Sequence, residues 1–270
     1  MYKCNTDVDF NDLKNTLFSN LKESYYMYVN LVKYGLGCSN VDFFIHRNSQ
    51  SKINIALMRY FDTLQIFCID EDIDVSCMQY VKSMVNTIRC PNITGSNCFI
   101  EKLQAFLPEF EYSVGYNYEI KNYPSISFNE LIEIPSDKEL FDCAALILSD
   151  EIIGGFYEHE QLASQLINRR KDGFARNFII KKDNKIIAHI ATYAEASKVA
   201  ITSGLIVKKE YRNKPYGFIL ESKLINELLS EDYRVLTCLR NEQRIKLFES
   251  FNITDKTTTG KLVRCNVHES

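Results

Sequence analysis

The sequence is short of the residues and patterns that several binding chemistries need. Its four histidines lie far apart, and its nine cysteines include no C-x-x-C pair. A histidine metal centre and a cysteine zinc cluster both lack their ligand spacing. The cysteines (Cys4, Cys38, Cys68, Cys77, Cys90, Cys98, Cys143, Cys238 and Cys265) are odd in number and scattered. That pattern argues against a disulfide framework and for small core residues. No metal is expected. Charge of one sign is also missing: 32 Lys+Arg stand against 35 Asp+Glu, a net charge of -3. Divided at Pro124, the chain has 11 basic and 14 acidic residues before the cut and 21 of each after it. Neither half has the positive excess of a nucleic-acid-binding face. No stretch approaches the ~20 apolar residues of a membrane span. Met1 to Phe10 contains Asp7 and Asp9 and no apolar core segment, unlike a signal peptide. The expected home is the cytoplasm, with no nucleic acid and no membrane as partner. Neither a G-x-S-x-G elbow nor a G-x-x-x-x-G-K-[ST] loop occurs.

What is present suits a soluble globular protein: 270 residues, 46% hydrophobic and 25% charged. At roughly 150 residues per domain the length predicts two domains. The linker Asn122, Tyr123, Pro124, Ser125 sets the boundary, giving domains 1–124 and 125–270. In the first, Asn11 to Leu17 and Tyr25 to Tyr34 read as helices, the second ended by Gly35 and Gly37. Val41 to Ile45, Ile53 to Arg59 and Thr63 to Ile69 read as strands. An acidic loop at Asp70–Asp74 follows, then helices at Val75 to Val85 and Ile100 to Leu107. This is a small α+β unit. The acidic loop reads as a solvated turn.

Beyond the linker the pattern is more regular. Ser127 to Ile134 is a strand candidate, and Asp137 to Leu148 a helix with Ser136 as N-cap. Gly154-Gly155 makes a loop, and Glu158 to Arg170 is a second helix. Asn177 to Lys181 and Ile186 to Tyr193 form a hairpin about the turn Asp183-Asn184. Val199 to Val207 is a third strand, and Pro215 to Leu229 a helix with proline in its first turn. Val235 to Leu239, Glu242 to Ser250 and Leu262 to Val267 complete a strand, helix, strand ending. Glu158-His159-Glu160 is no metal site, because adjacent helical residues do not share a face.

The sharpest feature is Leu205-Ile206-Val207-Lys208-Lys209-Glu210-Tyr211-Arg212-Asn213-Lys214-Pro215-Tyr216-Gly217. A strand runs into a turn that opens a helix. Free N–H groups and the positive dipole end at such a helix start attract an anion. Gly217 would let a phosphate approach closely, and Arg212 and Lys214 add charge. An ordinary strand, turn and helix with solvated basic residues is the plainer reading of the same segment.

The segment resembles the acyl-CoA loop of the GNAT acyltransferase superfamily: Arg or Gln, two residues, Gly, one residue, Gly or Ala. Here it stands as Arg212-Asn213-Lys214-Pro215-Tyr216-Gly217, with Pro215 for the first glycine. Val235-Leu236-Thr237-Cys238-Leu239, Asn241 and Leu247-Phe248-Glu249-Ser250-Phe251 are similar to the family's strand, asparagine and short aromatic helix. Arg244 replaces its alanine, Phe248 its tyrosine, and Asn252-Ile253 its Gly-Phe. His189-Ile190-Ala191-Thr192-Tyr193-Ala194-Glu195 fills the preceding strand. The resemblance spans roughly Phe128 to Arg264.

It implies a fold and a reaction. The fold is α+β, a mixed and mostly antiparallel sheet flanked by helices in the C-terminal half, with the N-terminal part a smaller, degenerate copy. The reaction is transfer of an acetyl group from acetyl-CoA to an amine by direct attack on the thioester. Leu205, Ile206 and Val207 would pair with the pantetheine arm, and one N–H would meet the oxyanion. Arg212, Asn213, Lys214, Pro215, Tyr216 and Gly217 would hold the pyrophosphate. Asn241, Arg244 and Phe248 would line the arm. Glu195 is the expected base, while His189 and Tyr193 face the acceptor or simply pack. Phe248 cannot protonate a leaving thiolate, so a catalytically weak or inactive acyl-CoA-binding sensor or scaffold is the rival. An interaction domain without CoA is a third reading. The acceptor and the oligomeric state are not legible.

Overall fold

The computed structural model describes residues 1–70, 73–126, 131–150 and 158–265. The Gly154-Gly155 loop, the start of the strand expected from Ser127, the centre of the acidic loop and the last residues of the final strand lie outside the described residues. Along the chain one element order appears twice. The first pass is β1 (Tyr2–Lys3), α1 (Asp7–Ser19), α2 (Leu21–Tyr34), β2 (Val41–Arg47), β3 (Ile53–Tyr60), β4 (Thr63–Cys68), α3 (Val75–Ile88), β5 (Asn92–Ser96), α4 (Asn97–Gln104) and β6 (Phe110–Ile120). The second is β7 (Ile132–Glu133), α5 (Asp137–Leu148), α6 (His159–Lys171), β8 (Asn177–Lys182), β9 (Lys185–Ala196), β10 (Val199–Val207), α7 (Tyr216–Ser230), β11 (Arg234–Leu239), α8 (Glu242–Ser250) and β12 (Lys256–Arg264). A 3-10 turn, Lys209–Tyr211, precedes α7. The architecture is α+β with mostly antiparallel pairing, repeated in two parts.

Local chemistry accounts for many boundaries. Ser136 and Glu139 close a reciprocal capping box on α5. Thr6 caps α1 through Asp9 N–H, and Asp74 caps α3 through Ser76 N–H. The β8–β9 hairpin turns on Asp183 and Asn184, both with positive φ, which matches a tight two-residue loop. Ser197 and Lys198 do the same between β9 and β10.

The chain forms two compact units. The first holds Met1–Tyr118, Cys238–Leu247 and Thr254 onward; the second holds Glu119–Thr237 and Phe248–Ile253. A single cut at Pro124 therefore does not divide them. The reason is β12, which pairs antiparallel with both β5 and β6 inside the first unit. The first unit's strands run β1-β2-β3-β4-β5-β12-β6, with β4–β5 parallel. Its core gathers Ile55, Leu57, Ile66, Val81, Phe99, Ile100 and Leu262. The second unit's strands run β11-β10-β9-β8-β7, with β10–β11 parallel. There α5 and α6 pack Leu140, Ala144, Leu162 and Leu166 against Ile179 and Ile206, while α7 packs on β8, β9 and β10.

Candidate active site

In the second unit β10 pairs with β11 at only three positions, Val199↔Arg234, Ala200↔Val235 and Ile201↔Leu236. Beyond them the two parallel strands stop pairing, although β10 runs on to Val207 and β11 to Leu239. On its other side β10 is bulged: the register with β9 jumps between Ser203 and Ile206, leaving Gly204 and Leu205 without opposite residues. Gly204 has φ of 66°, a conformation glycine adopts without Cβ strain. A bulge re-aims the backbone next to where pairing ends. Leu205, Ile206 and Val207 all lie on this stretch. Ile206 is buried against α5 and α6, while Leu205 and Val207 are half-buried.

The loop after β10 is pinned by backbone and by Arg212. Lys208 N–H donates to Ile187 O at 2.8 Å. Arg212 Nε donates to Val207 O at 3.0 Å, and its Nη2 to Asp150 Oδ2 at 2.8 Å. Arg212 therefore ties the loop to the strand end, and Asp150 offsets part of its charge. Lys208 pairs with Glu210 at 2.9 Å. Asn213 and Lys214 are exposed on the same loop, and the Tyr216 ring meets Tyr211 edge-on. Pro215 is the N-cap of α7, not a residue within its first turn. No side chain among the described residues caps α7, so the N–H groups of Tyr216 and Gly217 stand at an open helix start. A Cβ on Gly217 would meet Val207 Cγ2 at 3.3 Å. The glycine thus brings the helix start close onto the end of β10.

The same place in the first unit is built the opposite way. Its parallel strands β4 and β5 also pair at three positions, Leu64↔Ile93, Gln65↔Thr94 and Ile66↔Gly95, but their ends are then tied by a side chain: Cys68 N–H donates to Ser96 Oγ at 2.9 Å. A Cβ on Gly95 would lie 1.8 Å from Ile66 O, so only glycine permits that approach. The following helix, α3, has its N-terminus filled by the Asp74 carboxylate, whose acidity is strengthened by bonds from Ser76. An anion has no place there.

Glu195 lies elsewhere than the sequence suggests. It stands opposite Ala200, where β10 is still paired with β11. That is six residues, about 20 Å of strand, from Ile206. Arg176 Nε and Nη2 donate to its two oxygens at 2.8 Å each, and Thr192 Oγ1 adds a third bond. Arg176 also pairs with Glu227 and Glu231. With its side chain 7% exposed and both oxygens engaged, Glu195 is a structural anion rather than a poised base.

His189, not Glu195, stands opposite Ile206. It is fully buried, with Nε2 3.0 Å from Asn177 Oδ1. Burial pushes its pKa down to about 4, against a smaller opposing effect of the Gly204 backbone, so the ring is neutral near pH 7. Among the described residues its Nδ1 and the Asn177 Nδ2 have no hydrogen-bond partner. Tyr193 is half-buried with the Arg169 guanidinium 4.3 Å over its ring. Phe248 is fully buried against Tyr123, whose hydroxyl bonds to the buried carboxylate of Glu221. Tyr123, Glu221, Asn177 and Arg176 escape a reading by motif. Asn241 and Arg244 belong to the first unit's share of the chain, and Asn241 Oδ1 accepts from Arg244 N–H at 3.1 Å. Among the described residues no group of three or more His, Cys, Asp or Glu side chains is placed to hold a metal. No helix among them is long and apolar enough to cross a membrane.

Parallel strands that part at a bulge, followed by an open helix start, define an acyltransferase-like fold in the second unit. Residues 139–252 match the model of the acetyltransferase (GNAT) family. No curated protein sequence matches the chain. Among solved structures, a GCN5-related N-acetyltransferase from Sphaerobacter thermophilus is 9% identical, with TM-score 0.63 over 99% of this chain and 96% of that one. A tandem GNAT protein from the clavulanic acid biosynthesis pathway is 11% identical, with TM-score 0.60 over 98% of both chains. A GCN5-related N-acetyltransferase-like protein from Streptococcus suis is 11% identical, with TM-score 0.57 over 93% of this chain and 98% of that one. These likenesses are of fold, and they extend over both units.

Proposed function

We propose that the second unit moves an acetyl group from acetyl-CoA to an amine, and that the first unit has the same fold without a CoA site. The observation that carries this is the parting of β10 from β11 beyond Ile201 and Leu236, beside the bulge at Gly204 and Leu205. Unpaired backbone on β10 suits an extended amide-bearing arm, and the open start of α7 suits a pyrophosphate. In the reaction the amine nitrogen bonds to the acetyl carbon, the carbon–sulfur bond breaks, and nitrogen gives up a proton. A backbone N–H at the bulge is the natural partner for the oxygen that gains charge. His189 is the proposed proton acceptor. It lies level with Ile206, and a donor at Nε2 leaves Nδ1 free to receive a proton.

The acceptor is an amine. Phe248 favours the second reading, a domain that binds acyl-CoA and turns it over slowly or not at all, because it carries no proton for the leaving sulfur. Calorimetric titration with CoA, followed by thiol release with acetyl-CoA and a panel of amines, tests both. No CoA binding defeats the whole reading. Binding without thiol release for any amine leaves the sensor.

A further inference from the structure

A cavity of about 290 Å³ opens within the first unit, on the side of its sheet covered by α2. Its wall includes Glu23, Tyr25, Gln65, Asn117, Arg240 and Lys261. The volume is at the small end of ligand sites. Arg240 and Lys261 approach each other here, and neither has a carboxylate partner among the described residues. Burial and the Arg240 charge both lower the Lys261 pKa. Two cations on one hollow, with the Cys238 thiol near both, are a costly arrangement unless an anion enters it. Arg240 is held in place: its Nη1 donates to Ser113 O at 3.3 Å, and its Cγ rests where a Cβ on residue 115 would come within 2.7 Å. Gly115 makes room for that stem.

The rest of the wall has a different character. The Gln65 side-chain oxygen is buried and has no hydrogen-bond partner among the described residues, so it lacks a donor. Glu23 also faces the cavity. Its carboxyl pKa is raised by burial, against an opposing effect of the Lys22 charge. Among the described residues Glu23 makes no ion pair with Arg240 or Lys261. Tyr25, also on the wall, donates to Asn117 Oδ1 at 3.3 Å. The acyl-CoA reading uses none of these side chains.

We propose that this cavity binds a small zwitterion, a free α-amino acid, with its carboxylate on Arg240 and Lys261 and its ammonium toward Gln65 and Glu23. Cations, an unpaired carboxylate and an orphaned acceptor on one wall suit a molecule that carries both groups. The probes are the L-amino acids, each beside its decarboxylated amine and its deaminated acid, titrated at millimolar concentration by calorimetry and thermal shift. At least one amino acid should bind one to one and raise the melting temperature, and both partial analogues should bind at least ~10-fold more weakly. Arg240→Met and Gln65→Leu should each weaken it by ~10-fold or more. Lys261→Met removes the repulsion and should melt no lower than the parent while losing the ligand, which separates loss of binding from loss of fold. Failure of every amino acid to bind would overturn the proposal. So would a deaminated acid that binds as tightly as its amino acid, or binding that survives in folded Arg240→Met.

Discussion

Arg176 holds Glu195 by two parallel hydrogen bonds of 2.8 Å, one to each carboxylate oxygen. Such a fork, with Thr192 Oγ1 as a third donor, commits both oxygens to partners within the fold. Glu195→Gln keeps the shape and breaks the charge match, so its effect belongs to stability. Denaturant titration should show a loss of about 1–3 kcal/mol, softened because Glu227 and Glu231 remain on Arg176. CoA affinity and maximal rate should stay within about threefold. A rate loss near ~10²-fold at unchanged stability would restore Glu195 as the base.

His189 links pH to stability with a definite sign. An unfolded histidine titrates near ~6.5, whereas burial holds the folded one at about 4. Between these values the unfolded chain binds the extra proton. The neutral ring's contribution is fully present above pH ~6.5 and is lost as pH falls toward 4. The span corresponds to about 3 kcal/mol. His189→Gln should flatten that part of the stability profile. In the proposed reaction it should also lower the maximal rate by ~10²-fold or more with CoA affinity unchanged. A flattened profile with full activity would leave His189 as a core residue only.

Gly217 separates packing from ligand approach. Gly217→Ala places a methyl 3.3 Å from Val207 Cγ2, a contact that a small shift relieves, and CoA affinity should change little. Gly217→Glu adds a carboxylate at the open helix start and should weaken CoA by at least ~10-fold. Equal affinity for the two variants, both folded, would remove the pyrophosphate from this loop.

Phe248→Tyr puts a hydroxyl into a site with no solvent exposure, beside the Tyr123 ring. Unless it shares the Glu221 carboxylate it has no partner. The cost should be about 1–3 kcal/mol. Burial replaces the gain in rate that the family pattern suggests with a loss of stability. Faster turnover at low pH, with stability intact, would show that the ring edge reaches the sulfur after all.

What the sequence displays depends on how local each cause is. Ser136 announces α5, and Asp183-Asn184 the hairpin, whereas the caps Thr6 and Asp74 carry no signal apart from the turns around them. The loop from Leu205 to Gly217 was legible as strand, turn and helix. β5, with glycine and polar residues in Asn92–Ser96, has too little pattern to read. β6 does alternate, with Phe110, Tyr112, Tyr116, Tyr118 and Ile120 on one parity, yet it runs straight into the linker, which masks its end. The clasp on Glu195 needs Arg176, Glu227 and Glu231, which only the folded chain brings together. The register jump that sets His189, rather than Glu195, against Ile206 is likewise invisible to strand parity. Nor does spacing tell that the closing strand serves the opening unit.

That closing strand has a consequence for how the molecule is made. β12 lies between β5 and β6, so the first unit's sheet has a gap until residues 256–264 leave the ribosome. The portion synthesised first cannot be the portion completed first. Throughout translation of the second unit, the facing edges of β5 and β6 stay open to any other strand, a chaperone or a neighbouring nascent chain. Ribosome-bound chains stalled before Lys256 should therefore resist proteolysis poorly in their N-terminal half, and gain protection there only when the last strand emerges.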